Sequence, residues 1–333
     1  MLTRRELGKL ALALPAARAF SATASAASKP NSTIEGVQVG LIVPYSFGRD
    51  GGHAGALLPQ IVAAGISAIE VQESAVEDYL GAPAMPSFRP AGGPPPGPPA
   101  PGAAPRPRPP LTPEQQAERQ KAQEAVTAWR LSQSMAPFKA LRAKYNDAGV
   151  SIYAFKLALT STMTDGEYEY TFDVAEALGA THVTMELPTE SALTKRIGEF
   201  AATKQMMVGY HTHTQGSLTV FDEALSQSKY NGINVDIGHY VAGTSESPIP
   251  LIKKHHSRFT SLHLKDRKKA DGPNMPWGQG DTPIAEVLRL MKTERYTFPA
   301  TIELEYPVPE GSTRLAEIQK CLEYCKTALT TRT

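Results

Sequence analysis

The sequence predicts a closed (β/α)8 barrel, the TIM-barrel fold, on three observations. The chain is long enough for eight α/β units, eight short apolar runs recur with helical stretches between them, and polar residues gather where the last five runs end. Its 333 residues exceed the roughly 250 of a typical barrel, which leaves room for a leader and an insert. With 41% hydrophobic and 20% charged residues, the composition supports one large core of conventional apolar packing and excludes global disorder.

The runs are Val37 to Tyr45, Ala68 to Gln72, Ser151 to Thr160, His182 to Leu187, Met206 to His213, Gly232 to Tyr240, Phe259 to Asp266 and Pro299 to Tyr306. Their β-branched character and the helical spacing between them predict parallel strands joined by right-handed crossovers. An open doubly wound sheet would share these local patterns, but the chain lacks an early Gly-x-Gly-x-x-Gly turn.

Residues 1–26 read as an export signal of twin-arginine type. Arg4-Arg5 precedes the apolar stretch Leu10 to Leu14, which is too short to span a bilayer, and small-residue steps such as Ala22-Thr23-Ala24 offer cleavage sites. Leu7 stands where such signals usually carry Phe. Cleavage would remove Arg4, Arg5, Lys9, Arg18 and Glu6, a net +3, taking the formal charge from +1 to about −2. That balance gives no footing for nucleic acid, and the expected protein is periplasmic or extracellular with no stable membrane insertion. Self-association is left open. Residues 27–333 form the expected barrel, interrupted by a Pro/Gly-rich insert at 83–113 whose composition suits a surface loop. A helix is expected to resume with Thr112 as cap and Pro113 in its first turn, running to about Asp147 with a break near Pro137. Cys321 and Cys325, four apart in a predicted C-terminal helix, read as packing residues.

The chemistry lies at the ends of the last five runs: Met185-Glu186-Leu187, Tyr210-His211-Thr212-His213, Asn234-Val235-Asp236-Ile237-Gly238-His239, Leu262-His263-Leu264-Lys265-Asp266 and Ile302-Glu303-Leu304-Glu305. Parallel barrel strands converge at their C-terminal ends, so these distant residues become neighbours. Alternation puts His211 and His213 on one face, and likewise Glu303 and Glu305. Two imidazoles and two carboxylates suit one divalent ion, with the nitrogens favouring Mn, Co or Zn over Mg. Trp277, in the Pro/Gly-rich segment after the seventh run, is a candidate to stack on a sugar face or equally to pack against the barrel.

From Gln38 to Lys326 the chain resembles the sugar phosphate isomerase/epimerase superfamily, with its xylose isomerase-like barrel. The matching motifs, in order, are Asp236-Ile237-Gly238-His239, His263-Leu264-Lys265-Asp266, Gly278-Gln279-Gly280-Asp281, and Tyr296 followed by Ile302-Glu303-Leu304-Glu305. The resemblance implies a single divalent ion held by His211, Asp236, His263 and Glu303, with His239 and Lys265 touching substrate oxygens. Many ketose epimerases of this group carry a glutamate where this chain has His211, so a symmetric two-glutamate mechanism is not implied. Relatives with histidine there point toward elimination or hydration.

The expected reaction is proton abstraction next to a carbonyl of a small sugar or polyol, through an enediolate. Glu186, His213 and Glu305 are the candidate bases. Glu186 could alternatively be a metal ligand or the partner of a nearby cation, and Glu305 could orient His263. An isomerase or epimerase leads, and a carbon–oxygen lyase or hydratase acting on keto-sugars, 3-keto-glycosides or inososes is the alternative. An abasic-site endonuclease and a non-catalytic sugar-binding barrel are more remote, the first because such enzymes need a basic groove and several metals.

Overall fold

In a computed structural model that describes residues 29–48, 51–88 and 110–331, eight parallel strands follow one another around a closed ring. They are β2 (Val37–Val43), β3 (Ala68–Gln72), β4 (Ser151–Lys156), β5 (His182–Glu186), β6 (Met207–Thr212), β7 (Asn231–Asp236), β8 (Phe259–Leu264) and β9 (Ala300–Ile302). Closure comes from β2 against β9, with Val39 opposite Ala300 and Leu41 opposite Ile302. The two-residue β1 (Thr33–Ile34) adds antiparallel to β2 outside the barrel. The export-signal reading of 1–26 and most of the Pro/Gly-rich insert lie outside the described residues. Among the described residues no helix is long and apolar enough to cross a membrane.

Each of the eight expected runs forms a strand, but several stop earlier than their apolar character suggests. The clearest case is β7. Asp236 caps helix α8 (Ile237–Thr244), its side chain accepting the His239 backbone N–H at 2.7 Å, so the chain turns into a helix at once. His239 therefore stands on a helical turn above the barrel and not on a strand.

Outside the ring, sequence periodicity becomes packing. Helix α10 (Ile284–Glu294) buries Ile284, Val287, Leu288 and Met291, an i, i+3, i+4, i+7 stripe, and each such side chain contributes about 1.5–3 kcal/mol by leaving water. Helix α3 (Pro113–Ser132) begins at Thr112 with a reciprocal Thr112–Gln115 capping box, and α4 (Ala136–Asp147) follows after a three-residue break with Pro137 in its first turn. A short helix not expected from the sequence, α2 (Glu73–Tyr79), follows β3 directly. Its buried Glu77 accepts two hydrogen bonds from Arg130 of α3, at 2.9 and 3.0 Å, and one from Tyr170 of α5 (Asp165–Leu178) at 3.0 Å. Cys321 and Cys325 are free thiols, buried in the C-terminal helix α11 (Arg314–Thr330).

The barrel interior departs from the expected apolar packing. Tyr153 bonds Thr301 at 2.7 Å, His182 bonds Ser261 at 3.2 Å, and Thr184 donates to Glu70 at 2.7 Å, all buried. Inward-facing residues in the middle of several strands are polar, and each finds a partner across the ring, as a buried polar group requires. This layer is the floor of the site.

Candidate metal centre

Strand register assembles the site. Glu186 lies opposite His211 across β5 and β6, and Asp236 opposite His263 across β7 and β8. A one-residue slip would send each of these side chains to the other face of the sheet. His211, Asp236, His263 and Glu303 are all buried, and one ligand atom from each lies within 4.8 Å of the others. Ligands facing one another across an ion at about 2.1 Å would be about 4.2 Å apart, so the cluster needs only small closure to bind.

An unpaired nitrogen and the donor set show that these residues fit a cation. Asp236 spends one oxygen on the α8 cap, and its other oxygen, Oδ2, is buried 3.0 Å from the Lys265 ammonium, whereas His211 Nδ1 is buried and makes no hydrogen bond. A buried polar atom without a partner costs about 1–3 kcal/mol, and a coordinated ion would satisfy His211 Nδ1. His263 Nδ1 and Glu303 Oε2 are hydrogen-bonded at 2.7 Å and would have to open to about 3.0–3.4 Å to share an ion at about 2.1 Å. The mixed donor set suits a divalent transition metal.

Behind the cluster sits a residue that the sequence reading passed over. Glu70, buried in the middle of β3, lies 2.8 Å from His263 Nε2 through its Oε2 and accepts from Thr184 through its Oε1. Burial alone would raise its carboxyl, but the charge and hydrogen bond of His263 outweigh that and hold it at about 2. His263 is moved the opposite way: burial disfavours its cation, yet Glu70 and Glu303 together lift it to about 9. Glu305 does not orient His263; Glu70 and Glu303 do. A carboxylate behind a ligating imidazole fixes the ring and raises its donor strength.

Lys265 crosses the mouth, with Nζ 3.0 Å from Asp236 Oδ2, 3.4 Å from Glu303 Oε2, 2.9 Å from His239 Nε2, and in contact with Glu305. Burial works against its charge, but Asp236, Glu303 and Glu305 outweigh it and keep the ammonium protonated. Glu305 also accepts a 2.7 Å hydrogen bond from Tyr45. Burial would raise its carboxyl, but Lys265 and Tyr45 bring it below the usual range, which weakens Glu305 as a base.

On the opposite side, Glu186 is half exposed. It pairs with Lys156 at 2.9 Å and lies 3.5 Å from His213 Nε2. Glu186, His211 and His213 also form a second close group of ligand-type atoms, although the Lys156 ammonium beside it opposes a second cation. Burial, then the charge of Lys156, push His211 well below its ordinary value and keep it neutral. The structure thus gathers His211, Asp236, His263 and Glu303, rings them with Glu186, His213, His239, Lys265 and Glu305, and adds Glu70, Lys156, Arg267 and Tyr45. Trp277 is held elsewhere, edge-to-face on Tyr324 of α11 with ring centroids 5.8 Å apart. The turn that carries it is tied down by buried Asp266, which accepts the backbone N–H groups of Gly278, Gly280 and Thr282. A Cβ at Gly280 would collide with that carboxylate.

The chain is a closed α/β barrel with a buried histidine–carboxylate cluster, a candidate metal site, at the C-terminal ends of its strands. The sequence profile of the family described as "Xylose isomerase-like TIM barrel" matches residues 120–327, and the chain belongs to that family. Solved structures agree on the fold. A xylose isomerase domain protein from Alicyclobacillus acidocaldarius superposes with a TM-score of 0.59 at 16% identity, covering 89% of this chain and 100% of its own. The probable 3-DHS dehydratase AsbF of Bacillus anthracis gives 0.56 at 14% identity over 89% and 100% of the two chains. A D-psicose 3-epimerase gives 0.54 at 12% identity with the same coverage. No curated protein sequence matches the chain.

Proposed function

We propose that the protein is a metal-dependent isomerase or epimerase of a small keto-sugar, acting by proton abstraction next to a carbonyl. The observation that carries this reading is the buried four-residue cluster of ligand-type atoms at the barrel mouth, in which His211 Nδ1 has no partner. His211, Asp236, His263 and Glu303 would hold the ion. When bound, a divalent ion supplies Lewis-acid polarisation of a carbonyl and charge stabilisation for an enediolate.

The chain's own residues supply the rest. Lys265, an ammonium held among carboxylates, stabilises negative charge on a substrate oxygen at the same mouth. Glu186 and His213, 3.5 Å apart on the open side, are placed to take and return a carbon-bound proton. Glu305 anchors Lys265 and Tyr45 more than it acts as a base. Buried Glu70 and Glu303 fix the orientation of the His263 ring.

A second reading, a carbon–oxygen lyase or hydratase on keto-sugars, is favoured by one observation. The two flanks of the cluster are chemically unlike, with Glu186 and His213 on one side and Lys265, Tyr45, Glu305 and His239 on the other. Unlike flanks suit abstraction by one group and assistance to a departing oxygen by another, and the dehydratase among the structural neighbours fits that pattern.

Incubation of the metal-loaded protein with ketoses and 3-keto-glycosides in D2O tests both. Carbon-bound deuterium with every oxygen retained supports isomerisation or epimerisation, and deuterium with loss of water or alcohol supports the lyase. Absence of exchange on every ketose by protein carrying its metal would overturn both.

A further inference from the structure

We propose that a groove between α2 and α3, on the same barrel face as the metal cluster, holds an uncharged second sugar ring, so that the substrate is a neutral glycoside and not a sugar phosphate. The groove is a cavity of about 1190 Å3. That exceeds the roughly 300–1,000 Å3 that houses a drug-sized ligand, and it is more than a single small sugar needs. Glu73 and Ser74 line it from the head of α2, directly after β3, and Ala158 and Thr160 line it from the segment that leaves β4. The C-terminal ends of two barrel strands therefore feed it. Lys156, at the end of β4, links groove and cluster: it pairs with Glu186 at 2.9 Å, and its charge acts on Glu73.

The lining decides the ligand. Five carboxylates line the groove against two guanidiniums. One guanidinium, Arg130, is spent on Glu77 at 2.9 and 3.0 Å, and the other, Arg119, belongs to an exposed residue of α3. Glu73 meets no cation at ion-pair distance among the described residues, and burial, then the charge of Glu77, raise its carboxyl above the usual range. A phosphate dianion placed there would give up its hydration against an excess of negative charge. The ammoniums nearer the cluster do not compensate, since Lys156 is matched by Glu186 and Lys265 by Asp236 and Glu303. What the groove offers is hydroxyl, amide and carboxylate groups, as on Thr160, Gln123 and Asp78, interleaved with apolar Met85, Leu111 and Val126. A sugar ring presents the matching mixture, hydroxyls at its edge and C–H bonds on its faces. Carboxylates accept from such hydroxyls in charge-assisted bonds, stronger than neutral ones.

The placing of the first ring at the cluster rests on the function proposed above, whereas the affinity of the groove does not. The test is titration of the zinc-loaded full chain with glucose, glucose 6-phosphate, trehalose, maltose and cellobiose, read by saturation-transfer NMR. At least one disaccharide should bind about tenfold tighter than glucose, the gain from one or two net hydrogen bonds, and glucose 6-phosphate should bind no tighter than glucose. Gln123→Trp on α3 and Ala84→Trp on the segment after α2 each put an indole into the groove from an exposed position. Each should bring disaccharide affinity down to that of glucose and leave glucose affinity and zinc stoichiometry unchanged. Equal affinities for glucose and all three disaccharides would overturn the inference, as would a disaccharide preference that neither indole removes, or tighter binding of the phosphate ester that the indoles abolish. A chain that binds no zinc but keeps an indole-sensitive disaccharide preference would sink the proposed function and leave the groove standing. Zinc binding and exchange on ketoses without that preference would do the reverse.

Discussion

Replacing Glu70 with Gln isolates the carboxylate beneath the candidate metal centre. Gln keeps the shape and can still accept from Thr184 through its carbonyl, while its NH2 replaces the oxygen that faces His263, so what is lost is the charge and the acceptor for His263. Glu70 sits at about 2 against an ordinary 4.5. At roughly 1.4 kcal/mol per unit, this is about 3 kcal/mol of folded-state stabilisation, in line with the 3–5 kcal/mol typical of breaking a buried pair. The rise of His263 to about 9 describes partly the same interaction and is not added to it. The sign is set by both partners. A depressed Glu70 contributes above about pH 4.5 and loses its contribution as pH falls through about 2, whereas a raised His263 contributes below about pH 6.5 and loses it as pH rises through about 9. The pair is therefore strongest between about pH 4.5 and 6.5. Urea unfolding of chelator-treated protein should show Glu70→Gln less stable by about 3 kcal/mol near pH 5.5, with the gap narrowing to under about 1 kcal/mol near pH 10. An equal gap at both pH values would refute the ion-pair reasoning and leave only a shape effect.

Two other outcomes follow from the same geometry. Since His263 must lose a proton to ligate and is held at about 9, zinc affinity measured by chelator competition should rise about tenfold per pH unit from pH 6 toward 9, with proton release in calorimetry; a flat profile would remove His263 from the ligand set. Asp266→Ala strips the acceptor from three backbone N–H groups, so the 276–282 turn should become the first site of limited proteolysis, with several kcal/mol lost from global stability. Unchanged cleavage kinetics would show that the turn is held by other contacts.

The barrel was legible in local pattern, and the candidate cluster in polar strand ends together with the family resemblance. Strands announce themselves as β-branched runs, and His211, Asp236, His263 and Glu303 stand out as polar residues closing apolar ones. What escaped was set by partners distant in sequence. Glu70 is a lone carboxylate inside Ile69–Val71, and its meaning comes from His263, 193 residues away. A charge in the middle of an apolar strand was the available signal. Lys156 gave a similar one at the end of β4, and its partner Glu186 lies on the next strand. Arg267 offered none, because its contact is with a histidine whose helical position follows from the Asp236 cap. For Trp277 the sequence left sugar stacking and packing level, and the ring packs edge-to-face on Tyr324 of α11, a partner 47 residues away.

The account stands most directly on metal stoichiometry. Elemental analysis of the purified chain after zinc or manganese loading and desalting should find one ion per chain in the wild type. Asp236→Asn, which keeps an acceptor for the α8 cap, and His263→Gln should each fall far below that while remaining folded. Full occupancy retained in either variant, or none in the wild type, would contradict the claim that these strand ends converge on a single cation.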